Sequence, residues 1–269
     1  MPAPAWEFID RRMLAALAFV DAAGRPVTTP VTITSPGIGI LVKRPGEVVV
    51  TNAPGLQAYT ASFAAPPAAP AVGSISIPLD LRPADPAFAP RRFVLVLPRD
   101  SDPLHAANPG SLFRPVEVPL LPGPRATATG LLAALRVTVR RSTDGLAIEG
   151  AMVRLRPEGG RPQARALTDP AGDALLLVAG VPMSSAGAGG TVLPDIAAEL
   201  DAVVDPNLVR FNAAATLDDA RAAAAARLSN LIDPDDVEAR LAGSATSPLS
   251  VRIAAGQTRT AAITWVPPP

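Results

Sequence analysis

The chain has 269 residues, 24 Lys+Arg against 24 Asp+Glu, a formal net charge of zero, and no cysteine. That length admits one large domain or two ordinary ones. The balanced charge argues against a polyanion binder, which relies on a positive excess, and the lack of cysteine excludes disulfides, thiolate metal sites and a cysteine nucleophile. Hydrophobic residues make up 48% but aromatics only 4%, and there are 32 prolines. Cores of Val, Leu and Ile are expected, with too much proline for a helical bundle.

Residues 1–10 read as an N-terminal arm. Trp6 and Phe8 are its large apolar side chains and its candidate partner contacts, docking either on the chain's own first domain or on a neighbouring subunit. The opening MPAPAWEFIDRRMLAALAFVDAAG does not fit a signal peptide, because Arg11 and Arg12 follow an acidic segment and the next apolar run ends at Asp21. No stretch reaches the roughly 18 apolar residues of a membrane span. These features predict cytoplasmic synthesis without a visible signal.

Residues 11–100 read as a first β-sandwich. MLAALAFV at 13–20 precedes the turn DAAG, and VTIT at 31–34 alternates with Val31 and Ile33 on one face. EVVV at 47–50 runs into NAPG. SISIPLDL at 74–81 puts Ile75, Ile77, Leu79 and Leu81 inward, and Pro78 predicts an edge position. RFVLVL at 92–97 is apolar on both faces and predicts a central or inter-sheet strand. Residues 101–130, rich in Pro, Gly and polar residues, read as a linker with at most one short strand.

Residues 131–269 read as a second β-sandwich. LRVTVR at 135–140 places Leu135, Val137 and Val139 inward. AMVRL at 151–155 alternates with its arginine outward, TDPAGD turns into LLLV at 175–178, and LSVRIAAGQTRTAAITWV at 249–266 reads as a hairpin. Between these parts, 184–247 reads as a helical insertion. Ile196, Leu200, Val203 and Val204 fall at helical spacing within 194–204. Thr216 can cap a helix running to Ile232, and Asp233 can cap another with Val237 and Leu241 on its apolar face, ended by Gly243.

The two β regions share an order of strand, Gly turn, alternating strand, Gly, apolar strand and Pro/Gly turn. The second copy resembles the carboxypeptidase regulatory-like, or transthyretin-like, β-sandwich family. The matching residues are Gly145, Ile148, Gly150, Ala151, Val153 and Leu155, then Thr168, Asp169, Gly172, Leu175, Leu177, Gly180, Val181 and Pro182, with the closing strand from Leu249. The resemblance covers about 131–182 and 248–266 and implies a non-catalytic module of surface, adhesive, secreted or particle proteins. The helical insertion departs from that family's pattern, and the first copy matches it loosely. The fold class expected is mainly β, two tandem Greek-key (Ig-like or transthyretin-like) sandwiches, the second with a small α-helical insertion.

Chemistry is sparse. The single histidine, His105, lies in a Pro/Asp-rich loop, and no GxSxG nucleophile elbow accompanies it. GAGG at 187–190 lacks both the Lys–Ser/Thr of a P-loop and the spacing of a dinucleotide site. DPDDVE at 233–238 lacks the glycine and terminal glutamate of an EF-hand and reads as a helix cap. Of Trp6, Tyr59 and Trp265, the last falls in a strand and is expected in the core. No catalytic, cofactor-binding or metal-binding residue is assigned. The reading is a non-enzymatic structural or assembly protein of a multi-protein particle, with a phage tail or contractile injection particle as its setting. Its partners are protein subunits, with self-association allowed and no nucleic acid. The alternatives are a surface-exposed adhesive or carbohydrate-binding module and an accessory domain of a hydrolase.

Overall fold

The computed structural model describes residues 12–61, 68–128, 132–157, 164–181, 184–186, 190–192, 195–213 and 231–267. The fold is mainly β, with several sheets and a small helical part. No helix among the described residues is long and apolar enough to cross a membrane.

The first β region runs β1 (Ala15–Val20), β2 (Val31–Thr34), β3 (Gly39–Arg44), β4 (Glu47–Asn52), a helical turn α1 (Gln57–Thr60), β5 (Ile75–Pro83), β6 (Arg91–Leu97) and β7 (Val116–Pro119). One sheet has the order β3-β4-β1-β7 and the other β2-β5-β6. Strand β1 pairs antiparallel with β4 and parallel with β7. Alternation puts Leu17 and Phe19 of β1, Val48 and Val50 of β4, Ile77, Leu79 and Leu81 of β5, and Leu95 and Leu97 of β6 into one sandwich-like core. Each such side chain contributes about 1.5–3 kcal/mol on full burial. At the tip of the β3–β4 hairpin, Gly46 has φ +84°, and an added Cβ would lie 2.0 Å from the Val27 carbonyl oxygen. Only glycine fits where that turn meets the chain returning from β1.

The second region runs β8 (Ala133–Arg141), β9 (Ala147–Glu149), β10 (Met152–Pro157), β11 (Ala164–Leu167), β12 (Asp173–Val178), β13 (Ser184–Ala186), β14 (Gly190–Val192), β15 (Ile196–Val203), β16 (Arg210–Asn212), α2 (Pro234–Leu241), β17 (Leu249–Ile253) and β18 (Thr258–Trp265). Strands β13 and β14 pair as a ribbon. One sheet has the order β11-β10-β15-β17; the other has β12-β8-β9-β16, with β18 parallel to β8. Leu135, Val137, Val139, Val153, Leu155, Leu176, Leu200 and Ile253 meet between them.

Several expectations change. Residues 116–119, inside the stretch read as a linker, form β7, and Val118 and Leu120 enter the first core. Segment 196–203 is strand β15, not helix: Ala198, Leu200 and Ala202 face the second core at a period of two. Alanine's helix preference masked that period. The segment 216–232 read as a helix lies almost wholly outside the described residues. Strands β17 and β18 are not a hairpin ladder, since β17 pairs with β15 and β18 with β8. Strand β5 is central, yet Pro78 costs no bond on the β2 side, because β2 covers only Asp80–Pro83. Strand β6 is an edge of its sheet, with Val96 exposed. Strand β3, for which no expectation was formed, is an edge carrying Lys43 and a register irregularity, features that discourage sheet-to-sheet association.

Candidate functional site

The most elaborate arrangement of polar side chains lies where the two β regions meet, and it is centred on Arg91. This residue opens β6 and is fully buried. Its Nε donates to the Arg92 carbonyl at 3.0 Å and Nη1 to the Pro119 carbonyl at 3.1 Å. Nη2 reaches Asp235 Oδ2 at 2.9 Å and Asp233 Oδ1 at 3.4 Å, across a sequence separation of more than 140 residues. Beside it, the Arg92 amide donates to the Ile232 carbonyl at 2.9 Å, so the second region bonds directly to the free edge of β6.

The acidic partners are set by the start of α2. Asp233 caps that helix: its Oδ1 accepts from the Asp235 amide at 3.0 Å, and its carbonyl accepts from the Val237 amide. Burial pushes the Asp233 carboxyl up from its usual value, against the cap bond and the attraction of Arg91. Burial acts in the same sense on Asp235, but Arg91 and Arg165 outweigh it and hold that carboxyl below the usual range. The difference follows the distances, since Asp235 takes the shorter bond from Arg91 and a second cation.

From Asp235 the charges alternate onto the outer face of the second region. Arg165 on β11 reaches Asp235 at 2.7 Å and Glu238 at 2.9 Å. Glu238 also faces Arg154 on β10 at 3.6 Å. Arg154 holds Asp201 on β15 in a two-pronged pair at 2.7 and 2.9 Å. Asp201 also takes Arg156 at 2.6 Å, and Arg156 meets Glu199 at 3.4 Å. The sheet register puts Arg154 directly opposite Arg165. Like charges in that position repel, and the Glu238 carboxylate from α2 lies against both. The docked helix thus brings a carboxylate to the point where two arginines lie opposite each other. The Arg154 side chain lies on the outer face, as expected, and is buried there beneath α2. At the far end of α2, Arg240 bridges Asp236 at 2.8 Å and Asp205 at 3.1 Å.

Apolar contacts accompany the charges. Ala89 and Leu121 of the first region pack with Met152, Leu167, Val203, Ile232 and Val237 of the second. Nearby, Ala87, Ala126 and Ala128 pack with Ala134, Leu175 and Leu177. A shallow cleft flanks this contact, lined by Asp21, Arg25, Phe88, Pro122, Thr127 and Leu177 among others. Asp21 there is already engaged by the Ala23 and Arg25 amides and the Arg25 side chain.

Other residues singled out in the sequence fall elsewhere. Trp6 and Phe8 lie outside the described residues, as does most of GAGG at 187–190. His105 sits on an exposed loop, bonded to Asp100. Tyr59 and Trp265 are buried. Trp265 stacks on Phe211 at 5.8 Å between ring centroids, and the Arg141 guanidinium lies 4.1 Å over that Phe211 ring. The acidic run 233–238 does cap α2, but Asp235 and Glu238 are spent on arginines. Among the described residues no group of acidic or histidine side chains is placed to hold a metal ion. Sequence reasoning missed the Arg91 centre. Its available signal was the opposite-sign pairs at a spacing of two, Arg154/Arg156 and Glu199/Asp201, which match directly opposed positions of β10 and β15.

No family model and no curated protein matches this sequence. Among solved structures, one titled "The Bacillus anthracis TIE protein" matches over 96% of this chain and 34% of its own length, at 9% identity and a TM-score of 0.28. The chain thus spans about a third of that structure (34%), and a likeness at this level carries no argument about fold or activity.

Proposed function

We propose that this protein is a non-enzymatic structural part of a multi-protein particle, a stiff two-body spacer that joins neighbouring subunits. The observation that carries the reading is the fully buried Arg91 with its ion pairs across the junction. A contact built from buried charge, a shared apolar cluster and a backbone bond opposes hinge motion, and a load-transmitting part requires that. The polar side chains there are committed to one another rather than to a ligand. The setting we propose is a phage tail or contractile-injection-like particle. In the same reading each β region is a Greek-key sandwich in its chain path, with a distant strand, β7 or β18, returning beside the first; its departure from that motif is that this last pairing is parallel. The second is a carboxypeptidase regulatory-like module with an insertion. The adhesive or sugar-binding alternative gains nothing from Tyr59 and Trp265, whose rings are buried rather than offered as stacking platforms.

Sedimentation of lysate from the native source, with negative-stain images of any heavy fraction, tests this. Recovery in a large regular particle is the expected result; recovery only as a light species counts against it. Removal of residues 1–10 is expected to weaken association while leaving the fold intact. Unaltered assembly of the shortened chain would remove Trp6 and Phe8 from the account.

A further inference from the structure

The loop between β6 and β7 is long, yet it is held in a closed form by its own side chains. The Asp100 amide donates to the Gly110 carbonyl, and the Leu112 amide donates back to the Asp100 carbonyl. Arg99 binds the carbonyls of Pro109, Ser111 and Arg114, and Arg114 binds that of Ala107. On the outer side, Asp102 caps a short 3-10 turn, Pro103–His105. The His105 ring closes this turn onto the loop base through a 2.6 Å contact between its Nδ1 and Asp100 Oδ2. Asp100 Oδ1 meanwhile accepts from the Asp102 amide at 2.9 Å. The turn presents Leu104, and the far limb presents Phe113, both exposed.

We propose that the Asp100–His105 pair is a pH-sensitive clasp that sets how tightly the 99–114 loop is closed and how Leu104 and Phe113 are presented. The chemistry follows from the bond. A protonated imidazole gives Asp100 a charge-assisted hydrogen bond, whereas the neutral ring keeps at most an ordinary one. The charged groups around the histidine are Asp100 and Asp102 on its own turn, with Arg99 and Arg114 at the loop base; Arg12, before β1, binds Ser101 Oγ. The bond from Asp100, then its charge and that of Asp102, raise the His105 pKa above the ordinary value. The sign follows: the protonated ring stabilises the closed loop, and that stabilisation is lost as pH rises through the raised pKa. His105 is the only histidine in the chain, so its titration is read without overlap.

The test uses the full chain. The imidazole Hε1 proton resonance is followed by NMR against pH, alongside amide exchange at Asn108, Ser111 and Leu112 corrected for intrinsic rates. The expected result is a midpoint above 6.5 that moves back toward it in Asp100→Asn, with loop protection falling severalfold between about pH 5.5 and pH 8.5. Because Asp100 also holds the Asp102 amide, Asp100→Asn can loosen the turn by itself. His105→Gln therefore serves as the second variant, and its protection is expected to be flat across the same range. A wild-type midpoint at or below 6.5, protection that does not change with pH, or the same pH dependence in His105→Gln would each overturn the proposal.

Discussion

The two β regions share a scheme and use it differently. In each, the first strand lies between an antiparallel neighbour and a parallel strand from much later in the chain: β4-β1-β7 in one, β12-β8-β18 in the other. The Phe19 amide donates to the Gly46 carbonyl at the start of β4, and the Val139 amide donates to the Gly172 carbonyl at the start of β12. Their second sheets part company. The outer face of β2-β5-β6 shows Thr32, Thr34, Ser76 and Pro78 to solvent. The outer face of β11-β10-β15-β17 buries Met152, Arg154, Asp201 and Val203 beneath α2 and the junction. Similar cores thus coexist with one bare and one covered face: the bare one carries the Asp80–Arg92 pair, and the covered one a longer run of arginines and carboxylates on adjacent strands.

That contrast can be broken at its centre. Arg91→Ala leaves Asp233 and Asp235 facing an emptied junction, and loss of one partner from a buried pair costs about 3–5 kcal/mol. Chemical denaturation is expected to show that loss and to separate the unfolding of the two regions; one unchanged cooperative transition would mean that Arg91 is not what couples them. Asp201→Asn should cost nearly as much, about 3 kcal/mol, because Arg154 remains buried with a weaker acceptor. Its direct partners, Arg154 and Arg156, lie in the second region, so probes in the first should respond only through the junction.

Smaller changes sharpen the comparison. Gly46→Ala and Gly172→Ala both force a positive φ, worth about 1–3 kcal/mol. The Gly46 change should be the worse, since the added Cβ meets a carbonyl oxygen at 2.0 Å rather than 2.6 Å. Equal losses by thermal unfolding would show that backbone strain, not the close approach, decides both. Acid gives the mildest effect. The depressed Asp235 carboxyl stabilises the fold above its unfolded pKa and loses that contribution as pH falls through the lower folded value. The raised Asp233 carboxyl works in the opposite sense. Asp235→Asn is therefore expected to flatten stability against pH below about 4, and an unchanged acid slope would remove this pair from the acid response.

What the sequence made legible were the strands with large or β-branched residues at most inward positions and a Gly turn beside them. Strands β1, β2, β4, β8 and β12 stand close to where alternation and Gly turns place them. Strand β7 is the one short strand allowed within 101–130, but it could not be placed, because it is four residues long, follows Pro115 and ends at Pro119. Strand β15 was hidden because Ala198 and Ala202 fill inward positions with a residue that favours helices. The Asp233 cap was legible, being a local bond between a side chain and the next turn's backbone. Its second role, as a partner of Arg91, was not, because nothing local links residues so far apart. The charges on β10 and β15 carried a usable hint in their period-two spacing, but only once both segments are read as neighbouring strands.

The parallel pairing of first and last strands also orders events during synthesis. All the strands of the first region have left the ribosome once Pro119 has emerged, so that region can close while the rest is still being made. The second cannot: β8 waits for β18, which ends at Trp265. Until residues 232–241 have emerged, Arg91 has no carboxylates from α2, and the edge of β6 that later binds Ile232 is open to any strand that finds it. Completion of the junction is thus the step at which the nascent chain loses an adhesive edge.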